Sequence, residues 1–158
     1  MRVLFFGDIV GEPGLRALER ELPALLERLR PDFVVANGEN LDLTLPEQGR
    51  AGMTLASLER LFRLGVDAVT GGNHSFDPPN LEEVRGHPQG LRPLNYSPLA
   101  PGRGSLLLEK GDKRLLVVNV AGRSALPRAA EDPLPALERL RAEGEGVLPI
   151  GRGGVEED

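Results

Sequence analysis

At 158 residues, 40% of them hydrophobic and 27% charged, the chain suits one soluble globular domain with a real core. A formal net charge of -5 leaves no basic footprint for a nucleic-acid duplex, and the absence of cysteine excludes disulfides and thiolate metal sites. A reducing cytoplasm is consistent with that composition. Basic residues are nearly all arginine and prolines number 14, a bias that points to a GC-rich genome and a thermophilic source.

The N-terminal "MRVLFFGDIVG" carries an apolar run broken at Asp8, too short for a signal peptide or a membrane span. "RVLFF" reads as a strand buried on both faces. In "GEPGLRALERELPALLERLRP", Leu15, Leu18, Leu22, Leu25, Leu26 and Leu29 fall at helical spacing, and Pro31 ends the helix. "DFVVANGEN" reads as a second buried strand, "LDLTLPEQGRAGMT" as a loop, "LASLERLFRLG" as a helix ended by Gly65, and "VDAVTGGNH" as a third strand. This alternation predicts an α/β fold with a mainly parallel sheet and right-handed crossovers.

The character then changes. "DPPNLEEVRGHP" is expected to form a short helix or turn, and "LRPLNYSPLAPGRG" a proline-rich extended passage. "SLLLEKGDKRLLVVNV" predicts a hairpin turning at Gly-Asp. "EDPLPALERLRAEG" predicts a last helix with Asp132 as N-cap and Pro133 at its first position. "PIGRGGVEED" has no periodicity and reads as a frayed tail.

In a parallel sheet, ligands sit beyond the carboxyl ends of the strands. Here the first three strands end in "FGDIVG", "NGEN" and "GGNH", which would bring Asp8, Glu39 with Asn40, and Asn73 with His74 to one edge. Carboxylate and amide oxygens suit hard or borderline divalent cations, and a carboxylate can bridge two of them. Each residue also has a purely structural reading. Asp8 can cap the helix that follows, Glu39 can pair with an arginine such as Arg123, and His74 can be a packed turn histidine. The glycines of "GDIVGEPG" lack dinucleotide-fingerprint spacing, no P-loop occurs, and Ser75 and Ser124 lack a nucleophile-elbow context. His87, beside Pro88 in a polar turn, reads as surface.

Taken together, "GDIVG", "NGEN", "GNH" followed by Phe-Asp, "RPLNY" and "NVAGRSALP…DP" resemble the YmdB-like branch of the calcineurin-like metallophosphoesterases, from Met1 to about Leu148. The resemblance implies a β-sandwich flanked by helices and a centre of two metal ions, iron or manganese. It also implies hydrolysis of phosphodiesters, foremost 2′,3′-cyclic nucleotides; a homo-oligomer is expected on the separate ground of an apolar sheet face left uncovered. Asp8 and Asn40 would hold one ion, Glu39 would bridge both, and Asn73 would bind the second. A hydroxide formed between the ions would attack phosphorus, and His74 would give a proton to the leaving oxygen. Arg123 in "AGRS" would meet substrate phosphate or a ligand carboxylate, with a structural salt bridge as the alternative.

Members of the family carry a second half whose "HAE"-type and "THTH"-type segments supply three further histidines. Where the first of these is due, this sequence reads "IGRGGVEED", and only two histidines occur in all. Residues 1–148 are therefore expected to form the N-terminal part of a metallophosphoesterase domain, incomplete at its C-terminus, with 149–158 a divergent tail. A truncation, a shifted frame and a genuine short relative all remain open. On this footing activity is expected to be weak or absent, and the uncovered sheet face to favour self-association. The alternative function is a non-catalytic half-domain that binds a partner or nucleotide without turnover.

Overall fold

The computed structural model describes residues 1–43, 52–76, 87–122 and 131–144. Strands β1 (Val3–Phe6), β2 (Phe33–Asn37), β3 (Ala68–Thr70) and β4 (Gly90–Leu91) form a parallel sheet in that order. Helix α1 (Gly11–Leu29) connects β1 to β2, and α2 (Leu55–Arg63) lies between β2 and β3. A second, two-stranded sheet is the antiparallel hairpin of β5 (Ser105–Lys110) and β6 (Lys113–Val118), with α3 (Pro133–Gly144) after it. The expected α/β class with a parallel sheet is present. Among the described residues no helix is long and apolar enough to cross a membrane.

Local chemistry explains the element ends. Arg30 turns left-handed (φ 45°) after α1 and its N–H closes on the Leu26 carbonyl at 2.9 Å. Pro31, which has no N–H, then follows where the helix stops. At α2, the Thr54 side chain accepts from the Ser57 N–H at 3.3 Å. Asp42 braces that cap, accepting from the Thr54 N–H and the Ser57 hydroxyl at 2.5 Å each. Asp132 accepts from the Leu134 N–H at 3.0 Å, as its expected capping role at α3 requires.

The strands alternate between two cores. Val34, Ala36 and Val69 pack with Leu15, Leu18 and Leu22 of α1 and with Leu58 and Leu61 of α2, and Leu4 and Phe6 join from β1. On the other side, Val35, Ala68 and Leu91 meet Val117, Leu106, Leu108 and Leu115 of the hairpin. Fully burying a side chain of this size stabilises by roughly 1.5–3 kcal/mol. The helices are also tied across their faces: Arg60 donates to Glu12 at 2.7 Å and to Glu19 at 2.8 Å. The Arg60 guanidinium, and then that of Arg16, hold the Glu12 carboxyl well below its ordinary range, at about 2.

Two expectations need correction. β1 is buried on one face only: Leu4 and Phe6 reach the helix-side core, while Val3 (42%) and Phe5 (58%) are exposed. The cause is position, since β1 is an edge strand and the hairpin does not cover it fully. Second, the passage from Leu91 onward is not simply extended: Gly90–Leu91 adds a fourth parallel strand beside β3, and turns follow, one closed by the Ala100 N–H on the Ser97 carbonyl at 2.8 Å. Most of the segment expected as a short helix or turn (77–86), part of the loop before α2 and the tail 149–158 lie outside the described residues.

Candidate functional site

The turns that leave β1, β2 and β3 are stitched side by side. The Ile9 N–H donates to the Asn37 carbonyl at 3.0 Å and the Gly11 N–H to the Asn40 carbonyl at 2.9 Å. Next along the edge, the Gly38 N–H reaches Thr70 at 2.9 Å and the Gly71 N–H reaches Leu91 at 2.8 Å. The carboxyl ends of all four parallel strands are thereby held in one row.

Asp8 and Asn40 meet there. The Asn40 amide donates to both Asp8 oxygens, at 3.0 and 3.3 Å. Asp8 sits at φ 23°, a conformation that Asp tolerates better than most residues and that costs backbone strain. It does not cap α1: the N-cap position is Val10, with no side-chain bond. That alternative is removed.

Glu39 and Asn73 meet at a second point. They line a cavity of about 240 Å³ with Asn37, Gly71, Gly72, Asn119, Val120, Ala121 and Gly122. A Cβ built on Gly72 would overlap the Glu39 carboxylate, so only glycine lets that carboxylate lie against the turn. Asn73, His74, Ser75 and Phe76 form one 3₁₀ turn. Its start is fixed by reciprocal bonds, with the Gly72 N–H donating to Ser75 Oγ at 2.9 Å and the Ser75 N–H to the Gly72 carbonyl at 3.2 Å. Ser75 therefore serves the turn, as its lack of an elbow context suggested.

His74 is half-buried in this turn and does not line the cavity. Arg123 lies outside the described residues, and with it both the pairing to Glu39 and the substrate contact expected of it. His87 is not simply surface. Its ring stacks on Phe62 with centroids 4.4 Å apart and planes at 13°, and burial pushes its pKa below the ordinary value. Two cavity residues were missed from sequence: Asn37 and Asn119, amides set in otherwise apolar strand ends. An asparagine within "FVVAN" or "LVVNV" is the signal that pointed to them, because a buried amide needs partners.

The donors at this edge are oxygens and amides. Among the described residues, no group of three or more His, Cys, Asp or Glu lies close enough to hold a metal ion. The oxygen donors present fit hard or borderline divalent cations in type. The Glu39 carboxylate lies in the space that Gly72 leaves open, at the wall of the cavity.

Residues 4–147 match the family described as YmdB-like protein. The chain is 35% identical over 150 residues to a 2′,3′-cyclic-nucleotide 2′-phosphodiesterase of Bacillus subtilis (strain 168), covering 94% of this chain and 54% of that protein. Among solved structures, a hypothetical protein from Thermus thermophilus superposes with a TM-score of 0.78 at 43% identity, over 90% of this chain and 53% of that one. A phosphatase from Mycoplasma pneumoniae superposes equally well, TM-score 0.78, at 27% identity over 90% and 51%. The chain thus spans about half the length of the relatives it matches.

Proposed function

Because the chain belongs to the YmdB-like family, we propose that it is a metal-dependent phosphoesterase acting on phosphodiesters, 2′,3′-cyclic nucleotides first among them. The observation that carries this reading is the gathering of Asp8, Asn40, Glu39 and Asn73 along one sheet edge, with a 240 Å³ cavity at Glu39 and Asn73. The Bacillus relative is named for that substrate class, which supports the choice.

In this reading Asp8 and Asn40 would hold one divalent ion, iron or manganese, Asn73 would hold a second, and Glu39 would serve both. Bound there, such ions supply positive charge that polarises phosphoryl oxygens and acidifies water. The protein's own part is placement. Glu39 sets the spacing of the two ligand groups, the glycine turn keeps side-chain bulk out of the cavity, and the 3₁₀ turn carries His74 next to Asn73. His74 hands a proton to the departing oxygen, the part of a general acid.

Calorimetric titration of the whole chain with manganese, paired with hydrolysis of a 2′,3′-cyclic nucleotide, tests the reading. Glu39→Gln should weaken manganese binding more than Asp8→Asn, and equal or reversed losses count against a bridging Glu39. His74→Ala should lower turnover by roughly 10²–10⁴ with metal uptake unchanged. A nitrophenyl ester, whose leaving oxygen needs no proton, should be hurt less. Uptake lost together with turnover would make His74 a ligand instead. Cavity residues that bind nucleotide with no turnover by any variant would favour the non-catalytic alternative. The reading also proposes a second copy of this chain as partner, supported by the exposed Val3, Phe5, Leu116 and Val120. Sedimentation of Phe5→Asp against the parent tests that, and a parent that stays monomeric at all concentrations overturns it.

A further inference from the structure

Two amide side chains converge on a single carbonyl beside the cavity. Asn37 Nδ2 donates to the Gly71 carbonyl at 3.3 Å and to Thr70 Oγ1 at 3.2 Å, while its Oδ1 accepts from the Glu39 N–H at 3.2 Å. Asn119, arriving from the end of the hairpin, donates through Nδ2 to the same Gly71 carbonyl at 3.0 Å and to the Leu91 carbonyl at 3.3 Å. A carbonyl oxygen has two lone pairs, so both acceptor positions of Gly71 are filled by side chains. Asn119 is 7% exposed, and its amide cannot trade these partners for water.

The location gives this clamp its meaning. Gly71 and Gly72 stand in succession just before Asn73, and two glycines have little backbone preference of their own. Yet Gly72 lies against the Glu39 carboxylate, and Asn73 lines the same cavity. Asn37 spans the gap directly, with one end of its amide on the Glu39 backbone and the other on the Gly71 backbone. We propose that Asn37 and Asn119 are positioning residues, which pin the Gly71 carbonyl and so fix the spacing of Glu39 from Asn73. This rests on the metal-site reading for its functional consequence but not for its geometry.

Partners that orient ligands from behind typically change metal affinity by about 10–100-fold when lost. Leucine matches asparagine roughly in size and removes every donor. Asn37→Leu and Asn119→Leu in the whole chain should each weaken manganese binding by about 10–100-fold. Both should also speed amide hydrogen exchange at Gly72 and Asn73 while leaving α1 and β1 unchanged. Leu58 provides the control: it is fully buried in the core on the helix face and does not line the cavity. Leu58→Ala should lower the Tm yet leave exchange at Gly72 relative to the rest of the sheet, and manganese affinity, as in the parent. Weaker binding without faster exchange would make Asn37 or Asn119 a ligand itself and overturn the proposal. So would a Leu58→Ala variant that weakens binding as much, because the effect would then be global. A parent chain that takes up no manganese defeats the metal reading alone, while the exchange data still decide the clamp. Asn37 is half-buried, so its variant serves if Asn119→Leu does not fold.

Discussion

The two faces of the parallel sheet are built from the same strands and have very different surroundings. Towards α1 and α2, Val34, Ala36 and Val69 are sealed beneath Leu18, Leu22, Leu58 and Leu61. On the hairpin side Val35 and Ala68 are covered, but a groove of about 410 Å³ runs from Val3 and Phe5 to Leu116 and Val120. The difference teaches where the stability of this chain is held. The helix face carries it, and the hairpin face brings Asn119 to the cavity without closing the core.

The largest expected effect tests that division. Leu58→Ala, on the sealed face, should cost about 2–5 kcal/mol in urea unfolding. Phe5→Ala, on the open face, should cost under about 1 kcal/mol at protein concentrations low enough to keep the chain monomeric, because little burial is lost there. Comparable losses would mean that the groove is covered in solution. A second test uses acid. Glu12 has its pKa depressed to about 2 from an ordinary 4.5, so the stability it contributes is fully present above pH 4.5 and lost as pH falls towards 2. Arg60→Gln should flatten that part of the stability–pH curve. An unchanged slope would show that the bridge between α1 and α2 forms equally in the unfolded chain.

A smaller acid effect belongs to the hairpin side. Lys113 bonds Asp32 at 2.5 Å, and that ammonium, followed by the Arg2 N–H, holds the Asp32 carboxyl below its ordinary value. Its contribution is present above pH 3.8 and fades as pH drops below that. Lys113→Gln should remove it, with a smaller change in slope than Arg60→Gln, since Glu12 and Glu19 both lean on Arg60. A larger change at Lys113 would reverse the ranking of the two faces.

Much of this was legible in the sequence because it was periodic or capped. Helical leucines, Gly65 after α2, the Gly-Asp turn of the hairpin and the Asp132 cap announce their elements locally. The strand ends also announced Asp8, Glu39, Asn40 and Asn73, because acids and amides broke apolar runs at equivalent places. What could not be read depends on neighbours. "RVLFF" is the same string whether its second face is covered or bare, so the exposure of Phe5 was invisible. The strand Gly90–Leu91 has two residues and exists through β3, not through propensity. His87 looks polar until Phe62 is seen beneath it. Asn37 and Asn119 lie 82 positions apart by their own numbering, and nothing local says that they share one carbonyl.

The hairpin and the parallel sheet also differ in time. Lys110 meets Lys113 across a short turn, whereas Val3 must find Phe33 past the whole of α1, and Val35 must find Ala68 past α2. Hairpins close in about 1–10 μs, and pairings distant in sequence are slower because the intervening chain must be ordered first. Asn119 therefore waits at the end of an early-forming element for Gly71 and Leu91, which only the late sheet can deliver. The hairpin pairs locally, whereas the cavity needs β2, β3 and the hairpin's end to have met.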